Sequence, residues 1–279
     1  MVSTEERRKV FAELHASGCF VIPNPWDIGT ARYLSHLGFK ALATTSAGFQ
    51  FTRGVPDSVG GSSRDSALAH IAEIVGATDL PVTADFQAGY ARDPEGIAAN
   101  VALCVDTGVA GLSIEDATGD PQEPLYDLSL AAQRIKAARA AIDTKGAAVI
   151  LTARAESYLV GHPRPLEDAI RRLAAYAEAG ADVLFAPGPT RREDLLAIVR
   201  AVAPKPVNVI VMGNIGLSVS DLAELGVRRI SVGSALARAA WGGLIRAAER
   251  IAVSGSFEGL EGAASFTELN RLFSGMAKG

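Results

Sequence analysis

Short apolar runs rich in β-branched residues alternate along the chain with longer stretches in which apolar positions recur at helical spacing. The short runs predict strands, and the Ala-, Leu-, Glu- and Arg-rich stretches between them predict helices. Several of these helices end in a Gly directly before the next strand, which suits the left-handed residue that closes a helix. The predicted strands are 19–23, 41–46, 81–86, 111–116, 148–154, 182–187, 206–212 and 229–233.

Eight strands that alternate with helices in 279 residues predict an α/β fold, a (β/α)8 TIM-type barrel, which typically takes about 250 residues. A doubly wound open sheet is the competing architecture, but it usually carries a GxGxxG motif after its first strand, and NPWDIGTA lacks that motif. No Pro/Ser-rich linker divides the chain. The sequence therefore predicts one barrel domain over 1–279. Within it, about 234–279 forms a C-terminal helical region whose helix is broken at Gly242 and Gly243.

Composition and charge argue against several classes of protein. The formal net charge is -4 and the Lys and Arg residues are scattered, which argues against a nucleic-acid-binding surface. No run of about 18 apolar residues is present, and the segment MVSTEERRKVFAELHASG lacks the apolar core of a signal peptide. Cys19 and Cys104 have no metal-binding or redox spacing and are interpreted as reduced core residues. We therefore expect a cytoplasmic protein that binds a small molecule, with no nucleic-acid or membrane partner.

Charged side chains stand where the predicted strands end, and in a (β/α)8 barrel that edge carries the active site. Asp85 and Glu115 end neighbouring strands in the same register relative to their loops. Because neighbouring strands lie about 4.8 Å apart, the two carboxylates could share one cation, and Mg²⁺ or Mn²⁺ suits such oxygen ligands. Arg154 ends the fifth strand with a guanidinium suited to a carboxylate or phosphate. The alternatives are that each acid caps the following helix and that Arg154 forms a buried ion pair with Glu156 or Glu115.

Loops after other strands offer weaker candidates. The small-residue segment after the second strand could bind an anion through its backbone N–H groups. The loops after the seventh and eighth strands could bind a phosphate, although ordinary turns explain them as well. His162, after the fifth strand, could be a general acid or base, or simply solvated.

The strand ends together resemble the isocitrate lyase/phosphoenolpyruvate mutase superfamily over nearly the whole chain. The motifs that carry the resemblance, in chain order, are NPWDIGTARYLSHLGFKALATTSAG, GVPD, PVTADFQAGYARDP, GLSIEDATGD, ILTARAESYLVG, AYAEAGADVLFAPG and PKPVNV. The resemblance implies a modified barrel, usually a homotetramer of two dimers that exchange a C-terminal helix. It also implies a Mg²⁺-dependent site for a small-molecule carboxylate, a 2-oxo or 2-hydroxy acid.

Matching motif positions implies a role for each candidate side chain. Asp85 would bind the metal directly, and Glu115 and Asp57 would hold metal-bound waters. The residues implied in substrate binding are Thr45, Ser46, Ala47, Gly48, Arg154 and Asn208.

The chain departs from the superfamily pattern in two places. The motif usually reads acid-x-acid-x-Gly-Tyr, and here Gln87 replaces the second acid. Its amide oxygen could still orient a metal-bound water, at a cost in metal affinity of about 10–100-fold. The loop after strand four, DATGDPQEPLYD, lacks both the Lys-x-Cys-Gly-His motif of the lyases and the Lys and Asn of the mutases. Neither isocitrate-type cleavage nor phosphonate rearrangement is therefore carried over, and 117–125 is expected to form a mobile lid.

The residues that remain favour stabilisation of an enolate. The preferred hypothesis is Mg²⁺-dependent C–C cleavage, most simply an oxaloacetate-type decarboxylation, because the departing CO₂ requires no base. A retro-aldol cleavage would need a base, for which Tyr90, Asp57 and His162 are the candidates. The alternatives are P–C chemistry of the phosphonopyruvate type, a dicarboxylate-binding protein without activity, and a phosphate-binding barrel enzyme.

Overall fold

The structure is a computed structural model that describes residues 2–276. Its eight strands are β1 (Phe20–Ile22), β2 (Leu42–Ala43), β3 (Val82–Asp85), β4 (Gly111–Glu115), β5 (Ile150–Arg154), β6 (Val183–Phe185), β7 (Val207–Ile210) and β8 (Arg229–Ser231). They form one parallel sheet in the order β1-β8-β7-β6-β5-β4-β3-β2. The backbone N–H of Ala43 donates to the oxygen of Pro23 at 3.0 Å and nearly closes the sheet between β1 and β2. The predicted (β/α)8 barrel is confirmed.

Helices follow the strands and pack outside the sheet, while α1 lies beneath it. Most begin at a Ser, Thr or Asp whose side chain accepts a hydrogen bond from the first turn, which satisfies one of its free N–H groups. No described helix is both long and apolar enough to cross a membrane. The α-helices are α1 (Thr4–Ala16), α2 (Ile28–His36), α3 (Ser46–Thr52), α4 (Arg64–Gly76), α5 (Pro94–Asp106), α6 (Leu128–Thr144), α7 (Pro165–Glu178), α8 (Arg192–Val202), α9 (Val219–Glu224), α10 (Ala235–Ser254) and α11 (Phe266–Met276).

The C-terminal region differs from the sequence expectation. Helix α10 runs without a break through Gly242 and Gly243 and ends at Gly255, which has the left-handed φ of 64°. A Gly in a helix interior costs only about 1 kcal/mol, which a 20-residue helix tolerates, so the predicted break is wrong. Val253 and Phe266 expose 87% and 83% of their surface. The exchange of a C-terminal helix and the tetramer stay predictions.

Two clusters of apolar residues form the core. The larger lies between the sheet and the surrounding helices and includes Cys104, which is fully buried, whereas Cys19 is half-buried at its edge. The smaller lies at the amino-terminal end of the barrel, where Phe11 of α1 packs against Phe20. Helix α1 therefore closes the bottom of the barrel, and the opposite end is left open.

His15 lies on α1 in this lower cluster, with its ring edge-on to Phe11 and Phe20. Its Nδ1 is 2.7 Å from the carbonyl oxygen of Phe11, and its Nε2 is 3.3 Å from the guanidinium of Arg229. Because a guanidinium can only donate, Nε2 accepts and the ring proton is on Nδ1. Burial, reinforced by the charges of Arg229 and Arg228, lowers the pKa of His15 to about 3.

We expect His15 to make the fold sensitive to acid. Between the ordinary pKa of 6.5 and about 3, the unfolded chain binds a proton that the folded protein does not. The contribution to stability is therefore complete above pH 6.5 and falls by about 1.4 kcal/mol per pH unit below it. Urea unfolding over this range should show a steeper loss for the wild type than for His15→Gln. His36→Gln, at an exposed histidine, should keep the wild-type slope; equal slopes for all three proteins would contradict the prediction.

Candidate active site

A cavity of about 190 Å³ opens at the carboxyl ends of the strands. It brings together most of the side chains that the sequence identified. Those that line it are Thr45, Ser46, Ala47, Asp57, Asp85, Arg154 and Asn208. Gly48, Gln87, Tyr90 and Glu115 do not line it, although Glu115 contacts Arg154 directly. The loops after β7 and β8 contribute Met212, Gly233 and Ser234 to this same cavity.

The register of the sheet corrects one expectation. Asp85 pairs with Ser113 on β4, and Glu115 pairs with Arg154 on β5, so Glu115 lies two residues beyond the partner of Asp85. The two acids are therefore not in the same register. Their carboxylates still converge, because Arg154 NH1 is 3.7 Å from Asp85 Oδ1 and 3.1 Å from Glu115 Oε2.

The two oxygens of Asp85 have different surroundings. Oδ2 accepts hydrogen bonds from the backbone N–H and the hydroxyl of Ser46, at 2.8 and 2.7 Å. Oδ1 is buried and has no hydrogen-bond partner among the described residues. A buried carboxylate oxygen without a partner is costly unless a cation or donor completes it. Asp85 Oδ1 is therefore suited to bind a metal ion directly.

The donor set suits a metal that keeps most of its waters. Within residues 2–276, no three His, Cys, Asp or Glu side chains are grouped so that they could hold one ion. A single direct carboxylate with outer carboxylates at its waters is an arrangement that Mg²⁺ accepts, since it prefers oxygen ligands and dehydrates reluctantly. The residues present therefore fit Mg²⁺ or Mn²⁺ better than a metal that requires several direct protein ligands.

Arg154 is held by three carboxylates. Its Nε donates to Glu156, and its NH1 faces Glu115 and Asp85. Burial lowers the pKa of Arg154, but these carboxylates raise it more, and the net pKa lies above the ordinary value. The ion pair considered from the sequence is present. No hydrogen bond from NH2 to a described residue is found, so this nitrogen is available to a substrate.

Burial raises the pKa of Glu115 to about 8, although Arg154 acts in the opposite direction, and the charges of Glu156 and Asp85 raise it further. Burial therefore favours the protonated form of Glu115 more than water does. A cation bound between Glu115 and Asp85 would favour the ionised form, because it supplies the positive charge that the site lacks.

The segment after β2 is helical rather than an open loop. Thr45 caps α3 and accepts a hydrogen bond from the backbone N–H of Gly48, while the backbone N–H of Ser46 donates to Asp85. The N–H groups of Ser46 and Gly48 therefore already have acceptors within the protein, and the role of this segment in binding an anion stays a prediction. Ala47 lines the cavity without a hydrogen bond of this kind.

Gln87 and Tyr90 have local roles. Both have left-handed backbones, with φ of 46° and 58°. The Oε1 atom of Gln87 accepts from the hydroxyl of Tyr90 at 2.9 Å, and its Nε2 donates to the carbonyl oxygen of Ser58 at 3.2 Å. The amide is thereby tied to the segment that carries Asp57, and this arrangement does not support Gln87 as the holder of a metal-bound water. Burial raises the pKa of Tyr90 to about 12, which argues against Tyr90 as a base.

The remaining candidate bases differ in position. His162 lies outside the cavity, where its Nδ1 accepts from the backbone N–H of Arg164 at 3.2 Å, so the structure does not support it as a base. Asp57 lines the cavity. Burial and the charge of Asp85 raise the pKa of Asp57, and Arg154 lowers it in part. Asp57 is the one predicted base that the cavity includes.

The expected lid is attached at both ends. Ala117 and Leu125 form an antiparallel bridge, and the backbone N–H of Thr118 donates to the oxygen of Pro124 at 3.1 Å. Residues 119–124 are exposed. The movement of this segment stays a prediction.

Sequence reasoning missed the buried network behind Arg154. Asp116 Oδ1 accepts from the backbone N–H of Glu156 at 2.8 Å, and its Oδ2 accepts from Tyr176 at 2.5 Å and Arg172 at 3.2 Å. The network fixes Glu156, which in turn orients Arg154. Arg229 begins β8 and lines the cavity from below, so the carboxyl ends of the strands do not indicate it. An arginine within an apolar strand was the available signal.

Comparison with known proteins gives a consistent result. The family model described as phosphoenolpyruvate phosphomutase matches residues 11–252. A crystal structure from Burkholderia cenocepacia J2315, named provisionally as a lyase/mutase, superposes with a TM-score of 0.92 at 46% identity and covers 97% of this chain and 96% of that chain. An oxaloacetate decarboxylase of Paraburkholderia xenovorans is 29% identical over 249 residues, which are 83% of this chain and 76% of that protein. The structure of an oxaloacetate acetylhydrolase in complex with its product oxalate superposes with a TM-score of 0.83 at 25% identity. The match covers 98% of this chain and 94% of that chain.

Proposed function

The chain belongs to the isocitrate lyase/phosphoenolpyruvate mutase superfamily, and from this premise we propose that it is a Mg²⁺-dependent lyase that cleaves a C–C bond in a small 2-oxo or 2-hydroxy acid. Oxaloacetate-type decarboxylation is the reaction that the site supports best. The observation that carries the proposal is the buried Oδ1 of Asp85, which has no hydrogen-bond partner within residues 2–276 and lies at a cavity that Arg154 also lines. The similarity to an oxaloacetate decarboxylase over most of both chains supports it.

Asp85 would hold Mg²⁺ or Mn²⁺ directly, and Glu115 and Asp57 would hold its waters. When bound, the metal supplies a Lewis acid for negative charge that develops on the substrate carbonyl oxygen. Asp85 is well prepared for this role, because two hydrogen bonds from Ser46 fix Oδ2 and leave Oδ1 to a ligand. Little reorganisation of the side chain is then needed when the metal binds.

Arg154 would orient the substrate. Glu156 and Glu115 hold its Nε and NH1, so the plane of the guanidinium is fixed and NH2 is left for a substrate oxygen. A rigid donor of this kind increases the reaction rate by holding the substrate in the reactive orientation.

Part of the cavity wall suits a group that leaves as CO₂. A carboxylate on C3 loses its charge as the C–C bond breaks, and the bonding electrons pass to the enolate oxygen. An apolar wall therefore disfavours the carboxylate more than the transition state. No side chain has to remove a proton in this step. The apolar residues that line the cavity are Leu159, Phe185, Pro187, Ile210 and Met212.

Thermal unfolding with oxalate, an analogue of the planar enolate of pyruvate, tests the proposal. We expect oxalate with Mg²⁺ to raise Tm by about 5–10 °C at about 100 times its Kd, and either one alone to have a much smaller effect. A phosphate ester serves as the comparison ligand. Stabilisation by the ester and not by oxalate would contradict the proposal.

Turnover of oxaloacetate then separates an enzyme from a binding protein. Mg²⁺ ions in solution decarboxylate oxaloacetate slowly, so the rate must be compared with that of an equal amount of Asp85→Asn protein. A stabilising effect of oxalate without turnover of any 2-oxo or 2-hydroxy acid would favour a dicarboxylate-binding protein.

A further inference from the structure

The guanidinium of Arg229 lies inside the barrel at the floor of the cavity. Arg229 begins β8, is 4% exposed and lines the cavity. Its Nε donates to Asn208 Oδ1 at 2.8 Å, its NH2 donates to Thr152 Oγ1 at 3.0 Å, and its NH1 is 3.3 Å from His15 Nε2. All three partners are neutral. In the part of the chain that the structure describes, no carboxylate lies within 4.0 Å of this guanidinium.

This cation remains charged, and residues 2–276 supply no counter-ion for it. Burial lowers the pKa of Arg229 to about 9, which still leaves it protonated at neutral pH. A buried charge without an opposite charge is strongly unfavourable in a folded protein. An anion in the cavity would remove this cost.

Other buried arginines are either paired with carboxylates or lie away from the cavity. Arg172 pairs with Asp116 and Asp168. Arg134 has no carboxylate partner among the residues that the structure describes. It donates to backbone carbonyl oxygens and stacks over the ring of Tyr126 at 3.9 Å, and it does not line the cavity. Arg229 is distinguished by contact with the cavity.

The contact with Arg229 also fixes the orientation of Asn208. A guanidinium only donates, so the amide oxygen must face Arg229 and the amide nitrogen must face away. This nitrogen donates one hydrogen to Ser231 Oγ at 3.0 Å, and no acceptor is found for the other among the described residues. Asn208 therefore presents a donor, polarised by the guanidinium, to the cavity that it lines.

The side chains nearer the cavity opening include more carboxylates than cationic groups. Asp85, Glu115 and Glu156 surround the single guanidinium of Arg154. Thr152 precedes Arg154 by two residues on the same face of β5, so the Arg229 guanidinium lies about 7 Å below this group. Among the side chains of this region, carboxylates outnumber cations, so a cationic group beneath it favours the entry of an anionic substrate.

We propose that Arg229 is a positioning residue whose unpaired charge, relayed through the Asn208 amide, binds the retained carboxylate of the substrate at the cavity floor. The inference rests on the proposed function. It concerns the carboxylate that stays in the product, because pairing a cation with the departing carboxylate would stabilise the ground state and slow decarboxylation. Oxalate reproduces the retained half of the substrate.

The matched variants Thr152→Asp and Thr152→Asn test this inference. Thr152 is fully buried, contacts Arg229 and does not line the cavity. Asp supplies Arg229 with a counter-ion, and Asn has the same shape without the charge. In calorimetric titrations with Mg²⁺ present, we expect Thr152→Asp to bind oxalate at least about 10-fold more weakly than Thr152→Asn. The Tm of Thr152→Asp should equal or exceed that of Thr152→Asn, so a loss of affinity cannot be ascribed to unfolding.

The outcomes are distinguishable. Equal oxalate affinity in the two variants, with wild-type protein that binds oxalate, would overturn the role of Arg229 and leave the proposed function intact. Wild-type protein that binds no oxalate would overturn both. If neither Thr152 variant folds, His15→Glu and His15→Gln apply the same charge difference to Arg229 from α1, with the same expected and contrary results.

Discussion

Asp85→Asn is expected to lower kcat/KM by about 10³-fold or more, because the neutral amide cannot replace the charged metal ligand and with it the Lewis acid. The fold should survive. Asn has the same shape, its amide oxygen can accept from the hydroxyl and backbone N–H of Ser46 as Oδ2 does, and one carboxylate is removed from an acidic group. Steady-state kinetics with oxaloacetate and thermal unfolding of the same preparation provide the measurement.

Asp57→Asn serves as a control for Asp85→Asn, because we expect it to lower activity less. Asp57 lines the cavity and would act only through metal-bound water, so its substitution should cost about 10–100-fold. Stabilisation by oxalate with Mg²⁺ should disappear in Asp85→Asn and persist, weakened, in Asp57→Asn. Wild-type rates in Asp85→Asn would show that the metal assignment is wrong.

Arg154→Lys is expected to lower kcat by about 10²-fold despite the retained charge, since small errors in orientation have effects of this size. The Arg154 guanidinium contacts Glu156 through Nε and Glu115 through NH1, and it keeps NH2 for the substrate. An ammonium is a single point of charge and cannot hold this fixed arrangement. The measurement is kcat and KM at saturating Mg²⁺.

Arg139→Lys separates this effect from a general loss of stability. Arg139 also bridges two carboxylates, with Nε 2.9 Å from Asp143 and NH1 2.9 Å from Asp182, but it does not line the cavity. Its substitution should lower Tm while kcat stays at the wild-type value. If Arg154→Lys retained wild-type kcat and KM, Arg154 would have no part in catalysis.

Gln87 illustrates how a departure from a family motif can have a structural reason. A carboxylate at this position could accept from Tyr90, but it could not donate to the carbonyl oxygen of Ser58. The amide satisfies both neighbours at once. The segment that carries Asp57 is thus attached by Gln87 as well as by Gln50, whose amide bonds both the N–H and the carbonyl oxygen of Ser58, and no sequence motif alone indicates these contacts.

The strands were predictable because their apolar runs are a local property. All eight observed strands lie inside the predicted ranges. Their number and order predicted the barrel, and their ends predicted the edge that carries Asp85, Glu115 and Arg154. The errors occurred where neighbouring elements decide the outcome. Gly242 and Gly243 stay helical within a long helix, and Ser46 begins a helix because Thr45 caps it.

The sequence alone determined the fold class, the superfamily resemblance and the identity of the acids and the arginine at the strand ends, because each depends on residue type and order. The tertiary structure decided which of them meet. The register places Asp85 opposite Ser113 rather than Glu115, and closure of the barrel brings His15 against Arg229, more than two hundred residues away in the chain. Partners of this kind depend on how strands are staggered and which side chains face inward. Whether a buried charge finds a counter-ion is therefore settled only when the barrel closes.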